Sequence, residues 1–269
     1  MITVVLAAAI ALTVVMVLGW AFQRGMHNGG WTDVFWTFGT GAAGAACALW
    51  PLEPGPPAPR QILVAALVLV WALRLGVHIA FRVAHSHEDA RYSALRLQWG
   101  AAFQRNMALF LPAQAIVSIP LLASVIIAAH NPAPWIGGAD LIGVLIMVIA
   151  VMGEGEADRQ LDRFKAAPSS RGRVCDVGLW RWSRHPNYFF EWLGWVAYVL
   201  IATNLNFGGY GWGWIALAGP VLMYVLLAHV SGVPPLEAHM LRSRGDAFRR
   251  YQSRVNAFWP GPTHSERHP

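Results

Sequence analysis

Long uncharged stretches dominate the pattern of apolar and polar positions along the chain. They cover residues 1–23, 34–52, 106–139 and 192–236. A membrane-spanning helix needs about 20 mostly apolar residues, so the two longest stretches each accommodate two spans. The pattern therefore predicts an all-α polytopic membrane protein.

Seven spans are predicted, separated by turns rich in Gly, Pro and Asn. Their bounds are about 2–22, 32–50, 61–83, 106–129, 135–153, 187–205 and 212–232. Three polar regions, 84–105, 154–186 and 237–260, lie between or after these spans. We call residues 84–105 the first polar segment, 154–177 the second, 178–186 the third and 237–260 the tail. No internal repeat or heptad pattern divides the chain, so residues 1–269 are expected to form a single membrane domain.

Basic residues set the expected orientation. The three polar regions hold most of the Arg residues, whereas the turns at 130–134 and 206–211 hold no Arg or Lys. Since basic loops stay in the cytoplasm, the polar segments are expected there. Seven spans then place the N-terminus outside and the C-terminus in the cytoplasm.

Composition narrows the class of protein. The 269 residues are 56% hydrophobic and 13% charged, with a net charge of +6, whereas a soluble domain is about 25% charged. This excludes a disordered chain, a nucleic-acid module and an ordinary cytosolic enzyme. Of the 20 basic residues only Lys165 is a lysine, and Arg residues in such loops suit phosphate binding. Cys47 and Cys175 lie too far apart to form a metal motif.

The first polar segment follows Arg74 and Arg82 of the third span. A charge inside an apolar helix must face protein or water, which favours a functional role for Arg74. Arg82 is equally well explained as a terminal residue whose charge reaches the membrane surface. His85 and His87 have no third ligand at helical spacing, so no metal site is predicted.

The second polar segment continues the fifth helix out of the membrane. Glu154, Asp158, Asp162 and Lys165 share one helical face, which a solvated, salt-bridged helix would also explain. Asp158 is suited to accept hydrogen bonds from ribose or amide donors. The cations suited to neutralise phosphates are Arg163, Lys165, Arg171 and Arg173.

The third polar segment leads into the sixth span. Pro186 fits the first turn of a helix, and Asn187 and Glu191 follow on one face. With Arg184 and His185 beside it, this helix N-terminus is a candidate anion site. An aromatic belt at the membrane interface accounts for the neighbouring Trp180, Trp182 and Tyr188, but not for an acid inside the helix.

Two further regions carry open alternatives. The tail after Glu237, with Arg242 and Tyr251, is either an amphipathic helix on anionic lipid or a cap over a cofactor pocket. Glu53 lies between two prolines beside Trp50. It is either a solvent-facing loop residue or a carboxyl group that keeps its proton and acts as a donor.

The string from Gly178 to Glu191, with RHPNY at its centre, resembles the steroid 5-alpha-reductase family. The bacterial branch of that family also carries the Trp31-x-Asp33-x-x-Trp36, HEDARY and ADRQLDRFK patterns found here. Integral-membrane methyltransferases such as isoprenylcysteine carboxyl methyltransferase share a similar RHPxY motif and a downstream Glu. An S-adenosylmethionine-dependent methyltransferase is therefore the alternative.

The resemblance implies a seven-span enzyme that binds NADPH from the cytosol. It reduces the C4–C5 double bond of 3-oxo-4-ene steroids, as a 3-oxo-5-alpha-steroid 4-dehydrogenase, or of a similar enone lipid. The cofactor ligands implied are Arg74, Asp158, Lys165, Arg173, Asn187 and Glu191, with Arg91, Arg242 and Tyr251 as looser matches. Arg171, Arg184, His185 and Tyr188 join them because of their position.

The resemblance also implies the catalytic residue. Glu53 matches the glutamate of the family's Gln-Glu-Leu-Pro motif, which holds the steroid 3-oxo group, although the neighbouring residues differ here. The family's substrate-side tyrosine falls on Trp71, which cannot donate a proton in that role. The expected partners are an enone lipid and membrane lipids, with no nucleic acid, and the expected state is a monomer in the cell inner membrane.

Overall fold

The computed structural model describes residues 1–52, 55–86, 88–205 and 209–263. Within these ranges the chain is all-helical, with 80% of the residues in helices and no strand. The α-helices are α1 Ile2–Met26, α2 Trp31–Leu49, α3 Pro59–His85, α4 Ala90–Trp99, α5 Phe103–Val117, α6 Ile119–Ala129, α7 Gly138–Ala166, α8 Pro186–Thr203, α9 Ala218–Val225, α10 Val233–Arg244 and α11 Asp246–Arg254.

Each predicted span coincides with one helix or with consecutive helices. The fourth span is α5 followed by α6, with Pro112 inside α5 and Pro120 in the first turn of α6. The seventh consists of a 3-10 helix, Gly211–Leu217, then α9 and a π-helical turn, Leu226–Val230. Helix α7 continues to Ala166, which confirms that the fifth helix extends into the second polar segment.

Five helical segments are long and apolar enough to cross a membrane. They are Ile2–Met26, Pro59–His85, Arg91–Ala129, Gly138–Ala166 and Gly211–Arg244. Their apolar side chains are widely exposed, as on α1, where only every third or fourth side chain is buried. Such surfaces are typical of helices that face lipid, and they support a multi-pass membrane protein. The crossing of α2 and α8 and the orientation of the termini stay predictions.

The described residues divide into two compact units. Unit 1 comprises Met1–Val144 and Trp195–Pro220, and unit 2 comprises Leu145–Gly194 and Val221–Pro269. In unit 1, α2 and α3 approach so closely that a Cβ on Gly41 would lie 2.2 Å from the Ala72 side chain. The single membrane domain predicted from the sequence stays a prediction.

Unit 2 contains most of the residues predicted to bind a cofactor. Helices α7 and α8 pack tightly within it, since a Cβ on Gly153 would lie 2.4 Å from the Phe190 ring. After α11 the chain runs back along the third polar segment, where the Gly261 amide donates to the Trp182 carbonyl. The close approach of α7 and α8 brings the second and third polar segments together.

Candidate functional site

The first turn of α8 faces the polar end of α7. Pro186 is the first residue of α8, as predicted, and Asn187 follows it. The Asn187 side-chain amide donates to Asp158 Oδ1 at 3.3 Å, and its oxygen accepts from the Tyr188 amide at 3.1 Å. Asp158 on α7 and Asn187 on α8, predicted independently from two motifs, are therefore direct neighbours.

Buried carboxyl groups surround this contact. Glu154 precedes Asp158 by one turn of α7, and Glu191 follows Asn187 by one turn of α8. Glu154 is 5% exposed, Asp158 8% and Glu191 6%. Three buried carboxyl groups on two adjoining helices form an acidic cluster, and carboxylates accept hydrogen bonds from donor groups.

Arg184 connects the third polar segment to the C-terminal tail. Its guanidinium donates in bidentate fashion to Glu237, at 2.7 Å from Nε and 3.1 Å from Nη2. Nη1 donates to the main-chain carbonyls of Gln252 and Val255. Gln252 in turn donates to Glu237 Oε2 at 2.6 Å. Arg184 therefore holds the tail in place with most of its donors.

His185 lies between this ion pair and the first turn of α8. Its Nε2 is 3.0 Å from Glu237 Oε1, and its ring stacks on Tyr188 with centroids 5.4 Å apart. The side chain is buried, and Nδ1 has no hydrogen-bond partner among the described residues. Burial lowers the pKa of His185 below the ordinary histidine value, although the neighbouring Glu237 opposes the shift.

Tyr251 of α11 positions the loop before α8. Its hydroxyl donates to the Trp180 carbonyl at 2.5 Å, and the Trp180 indole donates to the Ala157 carbonyl at 2.9 Å. Burial raises the pKa of Tyr251 above its ordinary value, so the phenol stays neutral. Its hydroxyl therefore orders the main chain that leads into the site.

The apolar face of α11 is covered by protein. Phe248, Tyr251 and Val255 form a buried cluster that packs against neighbouring apolar residues, namely Val174, Met240 and Leu241. A helix that lies on lipid needs this face to insert. The geometry of α11 thus argues against a helix that lies on lipid, and the alternative, a tail that caps a cofactor pocket, stays a prediction.

The remaining predicted ligands in unit 2 lie on its surface. Lys165 is exposed although it shares a helical face with the buried Asp158. The other exposed cations are Arg171, Arg173 and Arg242. Exposed cations suit the phosphates of a ligand, whereas the buried acceptors suit its hydroxyl and amide groups.

The predicted ligands in unit 1 have a different setting. Arg91 donates to Asp33 at 2.6 Å and to Asp89 at 3.2 Å, and the Tyr92 hydroxyl donates to Asp33 at 2.7 Å. These contacts explain the HEDARY motif as a structural clamp on α2. Arg74 is half-buried within α3. Glu53 and His87 lie outside the described residues.

Sequence reasoning missed the central acid of the network. Glu237 entered only as the residue that opens the tail, whereas it lies inside α10 and accepts from Arg184, His185 and Gln252. Its only signal is that it is the first acid after a long uncharged stretch. Nothing in the sequence points to Gln252. Cys47 and Cys175 are both buried free thiols.

Comparisons with known proteins identify a family. The model of the family described as "Protein of unknown function (DUF1295)" matches residues 19–255. An uncharacterized protein of the fission yeast Schizosaccharomyces pombe is 32% identical over 99 residues, which are 36% of this chain and 27% of that protein. No solved structure matches. The chain belongs to the DUF1295 family, which is related to steroid 5-alpha-reductase-like membrane proteins.

Proposed function

From this family membership we propose that the protein is a membrane oxidoreductase that uses NADPH. It reduces the C4–C5 double bond of a 3-oxo-4-ene steroid or of a similar enone lipid. The observation that carries the proposal is the contact between Asp158 and Asn187, with the buried Glu191 one turn away. The proposal includes seven spans, a cytoplasmic C-terminus and a location in the cell inner membrane.

The residues of unit 2 fit a dinucleotide phosphate. Ribose hydroxyls and the nicotinamide carboxamide are hydrogen-bond donors, and Asp158 and Glu191 are buried acceptors. Arg171 and Arg173 are exposed cations suited to phosphate groups. The ordered main chain between Trp180 and Pro186 holds the first turn of α8, and the positive end of the helix dipole there favours anions.

When bound, NADPH supplies the hydride. The protein's share is to bind, to orient and to polarise. We assign to Glu53 the binding of the substrate carbonyl oxygen as a neutral acid, because a carboxylic acid in apolar surroundings keeps its proton and donates a hydrogen bond. This assignment rests on its place between two prolines and on its match to the family's glutamate.

A methyltransferase that uses S-adenosylmethionine is the second candidate. The RHPNY motif and the acid four residues after Asn187 favour it as much as they favour a reductase. S-adenosylmethionine, however, carries a single carboxylate and no phosphate, so the exposed cations Lys165, Arg171 and Arg173 outnumber its anionic groups. This excess of cations makes the reductase the better proposal.

Thermal stability with each cofactor separates the two candidates. We expect NADPH, added to the purified protein in detergent, to raise the melting temperature in a concentration-dependent way, because a ligand stabilises the state that binds it. S-adenosylmethionine should leave it unchanged. A shift with S-adenosylmethionine and none with NADPH would favour the methyltransferase and overturn the reductase. If neither ligand changes the melting temperature, both proposals are overturned.

Turnover of Glu53→Gln tests the catalytic assignment. Gln keeps a hydrogen-bond donor but lacks the transferable proton, so NADPH oxidation with a 3-oxo-4-ene steroid should fall by about 10²–10³-fold. The melting-temperature shift with NADPH should persist in this variant. Unchanged turnover would mean that Glu53 is a solvent-facing loop residue and that another group donates the proton.

A further inference from the structure

The two ring nitrogens of His185 have different surroundings. Nε2 lies 3.0 Å from Glu237 Oε1, whereas Nδ1 is buried and has no hydrogen-bond partner in the part of the chain that the structure describes. A neutral imidazole carries one donor and one acceptor nitrogen. The partner of Nε2 therefore determines what Nδ1 offers.

Glu237 determines which nitrogen of His185 carries the hydrogen. Its carboxylate accepts two hydrogen bonds from Arg184 and one from Gln252, and an ionised carboxylate only accepts. Nε2 must therefore carry the hydrogen that it shares with Glu237. Burial lowers the pKa of His185, which leaves a neutral ring with an acceptor at Nδ1.

The ring is also held in orientation. Tyr188 stacks on it at an interplanar angle of 8°, and the His185 amide donates to Ser183 Oγ at 3.1 Å. Ser183 Oγ in turn donates to the Phe258 carbonyl at 2.9 Å. Buried polar atoms in folded proteins nearly always have partners, so an oriented acceptor without one points to a ligand donor.

We propose that Glu237 is a positioning residue that holds His185 as the Nε2–H tautomer, and that Nδ1 accepts a hydrogen bond from the bound dinucleotide. The ligand group is a neutral N–H or O–H donor, such as a carboxamide or a ribose hydroxyl. This inference rests on the proposed function for the identity of the ligand. The tautomer itself depends only on the contacts of this chain.

A pair of substitutions at His185 tests the role of Nδ1. The Asn side-chain amide is three bonds from Cα, as Nδ1 is, and the Gln amide is four bonds away, as Nε2 is. We expect His185→Asn to bind NADPH within about threefold of wild type. His185→Gln keeps the contact with Glu237 but should bind about tenfold more weakly, the loss expected for one hydrogen bond.

The measurement is NADPH affinity by titration calorimetry, with the melting temperature of each ligand-free variant as the folding control. Similar affinities for the two variants would overturn the role of Nδ1, as would tighter binding by His185→Gln. If His185→Asn fails to fold, the comparison of His185→Gln with wild type still decides, because unchanged affinity in His185→Gln contradicts the proposal.

The nitrogen spectrum tests the tautomer without any cofactor. In ¹⁵N-histidine-labelled wild type at neutral pH, we expect the His185 resonances, identified by their absence in His185→Gln, to show a protonated Nε2 and an unprotonated Nδ1. A protonated Nδ1 would overturn the positioning role of Glu237. If the spectrum is as expected and NADPH does not bind, the proposed function and the ligand at Nδ1 fail while the tautomer assignment stands.

Discussion

Two bidentate pairs of an arginine and a carboxylate, one in each compact unit, differ in whether a polar atom beside them lacks a partner among the described residues. In unit 1, Arg60 binds Asp140 through two contacts of 2.9 and 3.0 Å and is 4% exposed. It also donates to three main-chain carbonyls, those of Asn131, Ala133 and Trp135. Asp140 accepts in addition from the Gly137 amide. The polar atoms of this pair are saturated by the surrounding chain.

The arginine of the pair in unit 2 makes similar contacts. Arg184 binds Glu237 through two contacts and donates to two main-chain carbonyls. Here, however, the carboxylate also holds His185, and the far nitrogen of that ring has no partner among the described residues. A network whose hydrogen-bonding atoms all have partners is accounted for by a structural role. A network with one buried atom left without a partner indicates that a ligand supplies that partner.

The largest effect is expected in the saturated pair. Asp140→Ala leaves the Arg60 guanidinium buried without its carboxylate, which typically costs about 3–5 kcal/mol. We expect a sharply lower melting temperature and a lower yield of folded protein. The double variant Arg60→Met with Asp140→Leu should regain much of this loss, because it removes both charges.

An exposed pair provides the control. Asp246 and Arg249 form a contact of 2.7 Å on α11 with both side chains largely exposed, and exposed pairs contribute little. Asp246→Ala should therefore leave the melting temperature unchanged. Equal melting temperatures for Asp140→Ala and Asp246→Ala would mean that the Arg60–Asp140 pair does not stabilise the fold through burial. The contrast with the Arg184–Glu237 pair would then be wrong.

The second prediction concerns neighbouring acids on α7. Asp158 is buried against Asn187, whereas Glu156 is partly exposed and pairs with Arg159. Asp158→Ala should weaken NADPH binding by about 2 kcal/mol, or about thirtyfold, because a buried acceptor facing ligand donors is lost. Glu156→Ala should bind as wild type does. Equal affinities, measured by titration calorimetry, would place the ligand elsewhere.

These contrasts show how far the sequence alone could lead. Each span predicted from the hydropathy pattern coincides with one helix or with consecutive helices, since length and apolarity are local properties. The spacing of Asn187 and Glu191 was also local, and the start of α8 at Pro186 followed from the rules for helix caps. The contact between Asp158 and Asn187 required two motifs to be brought together.

The sequence alone does not show which basic loop residues form ion pairs. Arg184 and Arg171 are indistinguishable as basic loop residues, yet one is committed to Glu237 and the other is exposed. The difference arises because α10 and α11 fold back onto the third polar segment, which no local pattern encodes. Glu53 lies outside the described residues.

The third prediction concerns acid pH. Burial lowers the pKa of His185, Arg184 lowers it further, and Glu237 opposes the shift. Tyr188 also contacts the ring, by stacking on it. The folded state therefore resists protonation at pH values where the unfolded state takes up a proton. The stability contributed by the neutral ring is present above the ordinary histidine pKa and is lost as the pH falls below it.

Cofactor binding should follow the same direction. Protonation converts Nδ1 from an acceptor into a donor, so NADPH affinity should fall once the pH drops below the lowered pKa of His185. His185→Asn has no group that titrates there and should lack this acid limb. Parallel pH profiles for the two proteins, measured by calorimetry between pH 5 and 8, would exclude His185 from the site.

The smallest effect is expected at the exposed cations. The turn that carries Arg171 and Arg173 is anchored by the buried Ser170, whose backbone carbonyl accepts from the Arg173 amide at 2.9 Å. Gly172 between the two arginines has φ +77°, a conformation that favours glycine. The main chain thus presents both side chains from one ordered turn, and we propose that they bind the 2′-phosphate that distinguishes NADPH from NADH. Replacing both by Ala should reduce the preference for NADPH by about fivefold, or about 1 kcal/mol, because exposed ion pairs are weak. The affinity for NADH should stay unchanged.

Arg249→Ala with Arg250→Ala removes two exposed arginines from α11 and is the matched control for net charge. Equal losses for NADPH and NADH, or an equal loss in the control, would show that these cations act only through the general field of the surface and that the 2′-phosphate is bound elsewhere.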